Sequence, residues 1–435
     1  MSVDVASTPW VSKAEVLPRV LLVSADTHVG PPLDVLRPYC PQRLLPSFDA
    51  YGADFEQDRP GLLFDDELGD EGIRRLSGRI QQLAGIWHYD VHDRLRKMDG
   101  DGITAEVLFH GSQNENPIPF TAHGKAFLSV PSPAYSELAA EGMRIYNRWL
   151  ADYCSVEPAR HVGLAQIPVW DPEAAVKEVE WVRQAGITGI NFPAPRAGLP
   201  AFNDSYWENF WSVCADHKMS LNTHVASGGC DYDQYGSGPD HAGLFTIEVS
   251  WYSRRAIWFM IFGGVFERHP ALKLVLTEQP GRWLAPLMEE MDSIFYSLRM
   301  GQMLRENIPR PPSEYVMENC FIGASFMSRP EAETAVKNGL TSRYMWGSDF
   351  PHHEGTYPNT LASLHETFAG LPEDDVARIL GLNAVEAFGL DGVTLRAIAN
   401  RIGPVVSGFS ERRECPLSAE DLRSTLAFRQ HGSWS

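Results

Sequence analysis

No C-x-x-C pair, no uninterrupted apolar run long enough to cross a bilayer and no surplus of basic residues occur in this chain of 435 residues. Each absence excludes something. Cys40, Cys154, Cys214, Cys230, Cys320 and Cys415 are too scattered for a zinc knuckle or a disulfide framework, and are expected to be reduced, mostly buried thiols. The longest apolar stretch, 256–266, is too short for a membrane span. Residues 1–20 lack the basic, apolar and small-residue succession of a secretory leader, so a soluble cytoplasmic protein is expected. With 37 basic against 56 acidic residues the net charge is −19, a field that repels phosphate backbones and anionic lipid. A small-molecule substrate is expected, and neither nucleic acid nor membrane. G-x-S-x-G, G-x-G-x-x-G, P-loop and H-E-x-x-H patterns are also missing, which leaves serine hydrolase, dinucleotide, nucleotide and zincin chemistry without anchors.

What is present is 44% hydrophobic and 21% charged, enough for a well-buried core in one large α/β barrel or two ordinary domains. Short β-branched runs alternate with longer helical patterns. Strands are predicted at 20–25, 104–109, 161–168, 189–192, 220–224, 272–277, 320–322 and 344–347. Helices are predicted at 92–98, 136–153, 172–185, 205–217, 244–266 and 282–298; the third opens on the cap Asp171 with Pro172 in its first turn and stops at Gly186. Eight strands with intervening helices point to an α/β fold, a (β/α)₈ TIM barrel; a doubly wound sheet shares much of this pattern, but the polar residues that finish several strands favour the barrel. Residues 1–19 read as an N-terminal segment and 20–390 as the barrel, with an insertion at about 30–90 that is expected over its mouth. Residues 391–435 read as a C-terminal extension that is either partly disordered or packed on a second subunit of a homodimer.

Asp26 and His28 stand two apart at the end of an apolar strand, so the pleat sends both side chains to one side, where a carboxylate oxygen and an imidazole nitrogen suit a divalent ion. Alone, such a pair is more simply a helix cap and a surface histidine. His224 ends the fifth strand before the glycine-rich 227–230 segment; a single histidine there is more often a satisfied core-edge residue. Asp349 ends the eighth strand beside His352 and His353, where an ordinary turn cap would serve as explanation. Three separate strand ends that together supply two imidazoles and two carboxylates change that balance, because a metal site needs ligands converging from different strands.

Those segments resemble the amidohydrolase superfamily, in particular its amidohydrolase-related (amidohydrolase 2) branch that includes aminocarboxymuconate-semialdehyde and γ-resorcylate decarboxylases. The resemblance lies in S-A-D-T-H-V at 24–29, R-L-R-K-M-D-G-D-G-I-T-A-E at 94–106, T-H-V at 223–225, F-E-R-H-P-A-L-K at 266–273 and G-S-D-F-P-H at 347–352, in the family's order. It implies a barrel holding one divalent ion through Asp26, His28, His224 and Asp349, with zinc first and manganese or iron as alternatives. Two-metal relatives carry a carboxylated lysine after the fourth strand, where this chain has Asn191-Phe192-Pro193. The chain departs from many relatives in opening the site with Asp26 instead of His or Glu. It also has Glu278 where they end the sixth strand with histidine, which makes Glu278 a metal ligand, a base, or a carboxylate paired with Arg282.

The leading reading is a mononuclear metal-dependent hydrolase of a small cyclic or aromatic carbonyl compound, with Asp349 or Glu278 taking a proton from metal-bound water. Arg282, His352 and His353 are the expected substrate-binding side chains. The alternative on the same fold is non-oxidative decarboxylation of an aromatic or enoic acid. A non-catalytic binding protein on a decayed barrel is the alternative from another class.

Overall fold

The computed structural model of the chain describes residues 19–57, 88–111, 116–121, 130–225, 240–279, 281–325, 327–352, 355–405 and 409. Eight strands form one sheet in sequence order: β1 (Val23–Val29), β2 (Ala105–His110), β3 (His161–Gln166), β4 (Gly189–Asn191), β5 (Ser220–His224), β6 (Lys273–Thr277), β7 (Cys320–Ser325) and β8 (Tyr344–Gly347). All neighbours pair in parallel. The ring closes just past β8, where Asp349 N donates to Asp26 O at 2.9 Å and His28 N donates to Phe350 O at 2.7 Å. This is a (β/α)₈ barrel.

Side chains alternate as strand geometry requires. Val23, Ala25, Ala105, Val107, Phe109, Val162, Leu164, Val275, Phe321 and Met345 form one buried cluster that fills the barrel. The intervening set, including Leu22, Leu108, Ile190, Leu221, Leu274, Leu276, Ile322 and Trp346, packs beneath the helices. Both faces are apolar, which is why the strands read as near-continuous hydrophobic runs. Ala384, Ala387 and Phe388 of helix Asn383–Phe388, with Leu395, Ile398 and Ala399 of helix Gly392–Ile402, join the interior cluster and close the end where the strands begin. The stretch beyond Asp391 therefore opens with a helix of the barrel floor, capped by the Asp391 side chain accepting from Val393 N and Thr394 N.

Several boundaries differ from expectation. β1 runs to Val29 instead of ending at 25, because Asp26, Thr27 and His28, polar enough to read as a strand end, are buried inside the ring. β7 extends to Ser325 for the same reason. The long helix 244–266 is two: His241–Phe262 and Val265–Arg268, broken by Gly263-Gly264, with Gly264 at φ 67°. The helix expected from 282 begins as a 3₁₀ turn, Gly281–Trp283, and continues as Leu284–Tyr296. Within the 30–90 insertion, helices Leu33–Leu36 and Leu45–Gln57 are present, and residues 58–87 lie outside the described residues. Cys40, Cys154, Cys214 and Cys320 are buried free thiols; Cys230 and Cys415 lie outside the described residues. Among the described residues no helix is long and apolar enough to cross a membrane.

One buried ion pair braces the rim. Arg94, on helix Val91–Asp101, donates to Glu106 Oε2 on β2 through Nη2 at 2.7 Å and Nε at 3.0 Å, and to the His28 carbonyl at 2.9 Å. His161 Nδ1 lies 3.1 Å from the other carboxylate oxygen. Burial pushes the Glu106 carboxyl up, but Arg94 and His161 reverse this and hold it at about 2. The pair's stabilisation is therefore present above the ordinary glutamate range and is lost only as pH falls towards 2. Replacing Arg94 with Ala leaves Glu106 charged and buried without its partner, so urea unfolding should report a loss on the order of 3–5 kcal/mol. A loss under about 1 kcal/mol would contradict this brace.

Candidate active site

The site begins with an irregularity in β1. Ser24 pairs with Glu106 and Thr27 with Leu108, so β1 spends three residues where β2 spends two. A bulge of this kind re-aims side chains. Ala25 faces the interior cluster, and beyond the slip Asp26 and His28 also face inward, while Thr27 turns its hydroxyl to the Val107 carbonyl at 2.7 Å. Space for Asp26 comes from Gly347: a Cβ there would stand 2.7 Å from Asp26 Cβ. The Asp26 carboxylate is fixed through Oδ2, which accepts from Ser325 Oγ at 2.5 Å. Ser24 ties the same corner to β8, its Oγ accepting from Ser348 N at 2.8 Å.

Around this pair stand the other strand ends. His224 Nε2 lies 3.6 Å from Asp26 Oδ1 and 3.5 Å from Glu278 Oε2, and its Nδ1 contacts the Val225 carbonyl at 2.9 Å, which leaves Nε2 facing the mouth. His28 Nε2 lies 3.4 Å from Asp26 Oδ1 and 3.2 Å from Asp349 Oδ1. His352 Nδ1 lies 3.2 Å from Asp349 Oδ2, and its ring stacks on His28 at 4.2 Å. Phe109 walls the centre, 5.9 Å from the His28 ring and 4.8 Å from that of His224. Glu278 and Asp349 both occupy the left-handed backbone region, at φ 55° and 56°. Non-glycine residues there are strained, and such strain gathers at functional sites.

Electrostatically the cluster is acidic and largely buried. Burial pushes the Asp26 carboxyl up, yet the adjacent His224 and His28 hold it well below the usual carboxylate range. Burial alone would lower both imidazoles; the nearby carboxylates of Asp26 and Asp349 raise His28, and the Asp26 charge raises His224. Asp26 Oδ1, His28 Nε2 and both Asp349 carboxylate oxygens are buried with no hydrogen-bond partner. Buried polar atoms without partners are costly, and a cation among them removes that cost. Donor atoms of Asp26, His28 and His224 lie within 4.8 Å of one another, as do those of His28, Asp349 and His352. Two imidazoles with hard carboxylate oxygens suit a divalent first-row ion, so the residues present fit such a group.

Of the side chains singled out in the sequence, the structure brings Asp26, His28, His224, Glu278, Asp349 and His352 together. Arg282 is exposed on the Gly281–Trp283 turn, where its charge acts on Glu331. His353 lies outside the described residues. Sequence reasoning missed Ser325, Phe109 and Gly347, because β7 was read too short and the other two look like ordinary strand residues. Strand alternation carried to the C-terminal ends, Phe321-Gly323-Ser325 and Val107-Phe109, would have found the first two. It also missed His110, which ends β2 with its ring edge on Tyr146 at 4.9 Å. Burial, with the charge of His28 beside it, pushes that imidazole down to about 3, so it stays neutral at neutral pH. Gly347→Ala should displace Asp26 and lower divalent-metal affinity at least about tenfold while the barrel stays folded. Unchanged affinity, measured by metal titration alongside circular dichroism, would remove Gly347 from the site's construction.

The chain is similar to several known proteins. It is 28% identical over 201 residues to a γ-resorcylate decarboxylase of Polaromonas sp., a match spanning 43% of this chain and 55% of the relative. It is 24% identical over 323 residues to a γ-resorcylate decarboxylase of Rhizobium sp., covering 70% of this chain and 88% of the relative. In fold it is similar to the crystal structure of a dihydroxybenzoic acid decarboxylase from Polaromonas sp. with bound manganese and the inhibitor 2-nitroresorcinol. That likeness has a TM-score of 0.54 at 18% identity and covers 86% of this chain and 98% of that one. The amidohydrolase family model matches residues 98–390, well over half the chain and including β2 to β8 with His224, Glu278 and Asp349, and the chain accordingly belongs to the amidohydrolase family.

Proposed function

We propose that this enzyme is a mononuclear, divalent-metal-dependent carboxy-lyase that removes carbon dioxide without oxidation from an aromatic or enoic acid. The likeness to a γ-resorcylate decarboxylase along 70% of the chain carries this reading. It outweighs the hydrolytic reading that Glu278 suggested from sequence, since both use the same side chains and the relatives reported above carry the names of decarboxylases. Asp26, His28, His224 and Asp349 are the proposed ligands of one ion, and β4 ends in Asn191, an amide that cannot become the carbamate bridge of a two-metal site. Zinc was the first expectation from sequence. Manganese is the better candidate, given the related structure that contains it and the carboxylate-rich donor set.

A divalent ion held there would supply Lewis-acid binding of the substrate carboxylate and a neighbouring hydroxyl. The chain's own residues do the rest. Phe109 and the stacked histidines keep water from the reacting carbon. Asp349 faces His28 through one oxygen and His352 through the other, and the His352 side chain is 16% exposed, so it joins the site to solvent. Asp349 gives a proton to the ring carbon that bears the carboxylate. The carbon–carbon bond then breaks, its electron pair restores the ring, and carbon dioxide leaves. Asp349 regains its proton through His352. Glu278, 3.5 Å from His224, is the second carboxyl in reach of substrate and the other candidate for proton transfer.

A panel of hydroxybenzoic acids incubated with metal-loaded enzyme in deuterated, ¹⁸O-labelled water should release carbon dioxide stoichiometrically, leave one deuteron on the ring and place no solvent oxygen in the aromatic product. A product carrying solvent ¹⁸O with no carbon dioxide would return the assignment to hydrolysis. Glu278→Gln should keep its metal and lose at least about tenfold in kcat. Full turnover together with full metal content would place Glu278 outside the chemistry.

A further inference from the structure

The helix His241–Phe262, between β5 and β6, is apolar on both sides. One side is buried through Val249, Ala256, Ile257, Met260 and Ile261. The other carries Leu244, Ile247, Trp251, Trp258 and Phe262, which follow one another three, four, seven and four residues apart and so form one stripe down its length. Leu244 is 48% exposed, Ile247 70% and Trp251 48%, and the Trp251 and Trp258 rings meet at 5.9 Å. A helix apolar all round belongs in an interior, and an exposed apolar face of this kind marks contact with another molecule.

The stripe differs from end to end. Near its start Leu244 and Ile247 protrude, whereas near its end a groove of about 650 Å³ opens beside Trp258, Phe259 and Phe262, bordered by Glu208 and Asn307. Two charged side chains, both partly exposed, flank the middle: Glu248 before Trp251 and Arg255 after it. Neither forms an ion pair among the described residues. Arg255 donates to the Pro195 carbonyl at 3.4 Å and lies over the Tyr252 and Phe259 rings.

We propose that this face binds a second copy of the chain, with the two helices antiparallel about a twofold axis that passes between Trp251 and Tyr252. Such an axis sets each residue opposite the one equally far along on the other side. Glu248 then faces the partner's Arg255, and Arg255 the partner's Glu248, which makes two ion pairs from four unpaired charges. Leu244 faces the partner's Phe259, so the protruding end of each helix enters the groove at the foot of the other. Parallel pairing would set glutamate on glutamate, arginine on arginine and protrusion on protrusion, and would align the two helix dipoles unfavourably. The contact lies on this helix and not on the C-terminal extension, and it is independent of the reaction proposed above.

Sedimentation velocity of the full chain over a wide range of concentration tests the pairing. Wild type should form a dimer. Glu248→Arg sets arginines against each other and Arg255→Glu sets glutamates against each other, so each should raise the dimer dissociation constant at least about tenfold. The double change rebuilds both pairs in reverse and should return the constant to the wild-type range, with circular dichroism unchanged throughout. Should a variant misfold, Ile247→Asp reads the same contact and should also separate the copies. A wild-type monomer, its face left to another molecule or to the chain's own C-terminal extension, would overturn the pairing. So would a dimer that neither single change weakens, or a loss that the double change does not reverse.

Discussion

The barrel closes where β1 meets residues 349–350, and the two main-chain hydrogen bonds of that seam, Asp349 N to Asp26 O and His28 N to Phe350 O, do more than complete a ring. They fix the backbone of three metal-site candidates at once. Asp349 is held against Asp26 in a left-handed conformation that a non-glycine residue adopts only where its surroundings impose it. The one-residue slip in β1 then lets Asp26 and His28 both face the mouth. Ser24, Ser325 and the bare Gly347 make the corner rigid, and Arg94 grips the His28 carbonyl from behind. A metal site needs ligands held to within a fraction of an ångström, and here the positioning comes from the strands themselves.

Charge follows from that geometry. Asp26, Asp349 and Glu278 gather three carboxyls in a buried space where, among the described residues, imidazoles are the nearby counterweights. The carboxylates of Asp26 and Asp349 raise both imidazoles. Protons and a metal ion compete for the same imidazole nitrogens, so the affinity of the site is tied to pH and weakens in acid. The pair Arg94–Glu106 works differently: it is complete in itself and serves the scaffold.

Much of this was legible in the sequence. The eight strands were, because both faces of a parallel barrel strand are apolar and the runs are bounded by caps and glycines, as with Asp171-Pro172 and Gly186 around helix Pro172–Gln184. The ends of the strands were not. Asp26 to His28 and residues 323–325 are polar or small, and in a sequence such residues look like loop; only the closed ring shows that they remain strand and point inward. The bulge between Ser24 and Thr27 left no pattern to read, since it depends on the register of β2. Gly263-Gly264 did leave one, a helix break, and an unbroken helix was nevertheless expected there.

The reaction itself was the least legible part, since hydrolysis and decarboxylation ask the same donors to bind an acid or a water and differ in what happens to one carbon. What both require is a single ion at the β1–β5–β8 corner. X-ray absorption spectroscopy on protein purified without chelator, with elemental analysis of the same sample, tests that requirement most directly. One divalent ion per chain is expected, with two imidazoles among its nitrogen and oxygen donors and no second metal at about 3.5 Å. A protein that binds no divalent ion, or one that shows a metal–metal vector, would contradict it.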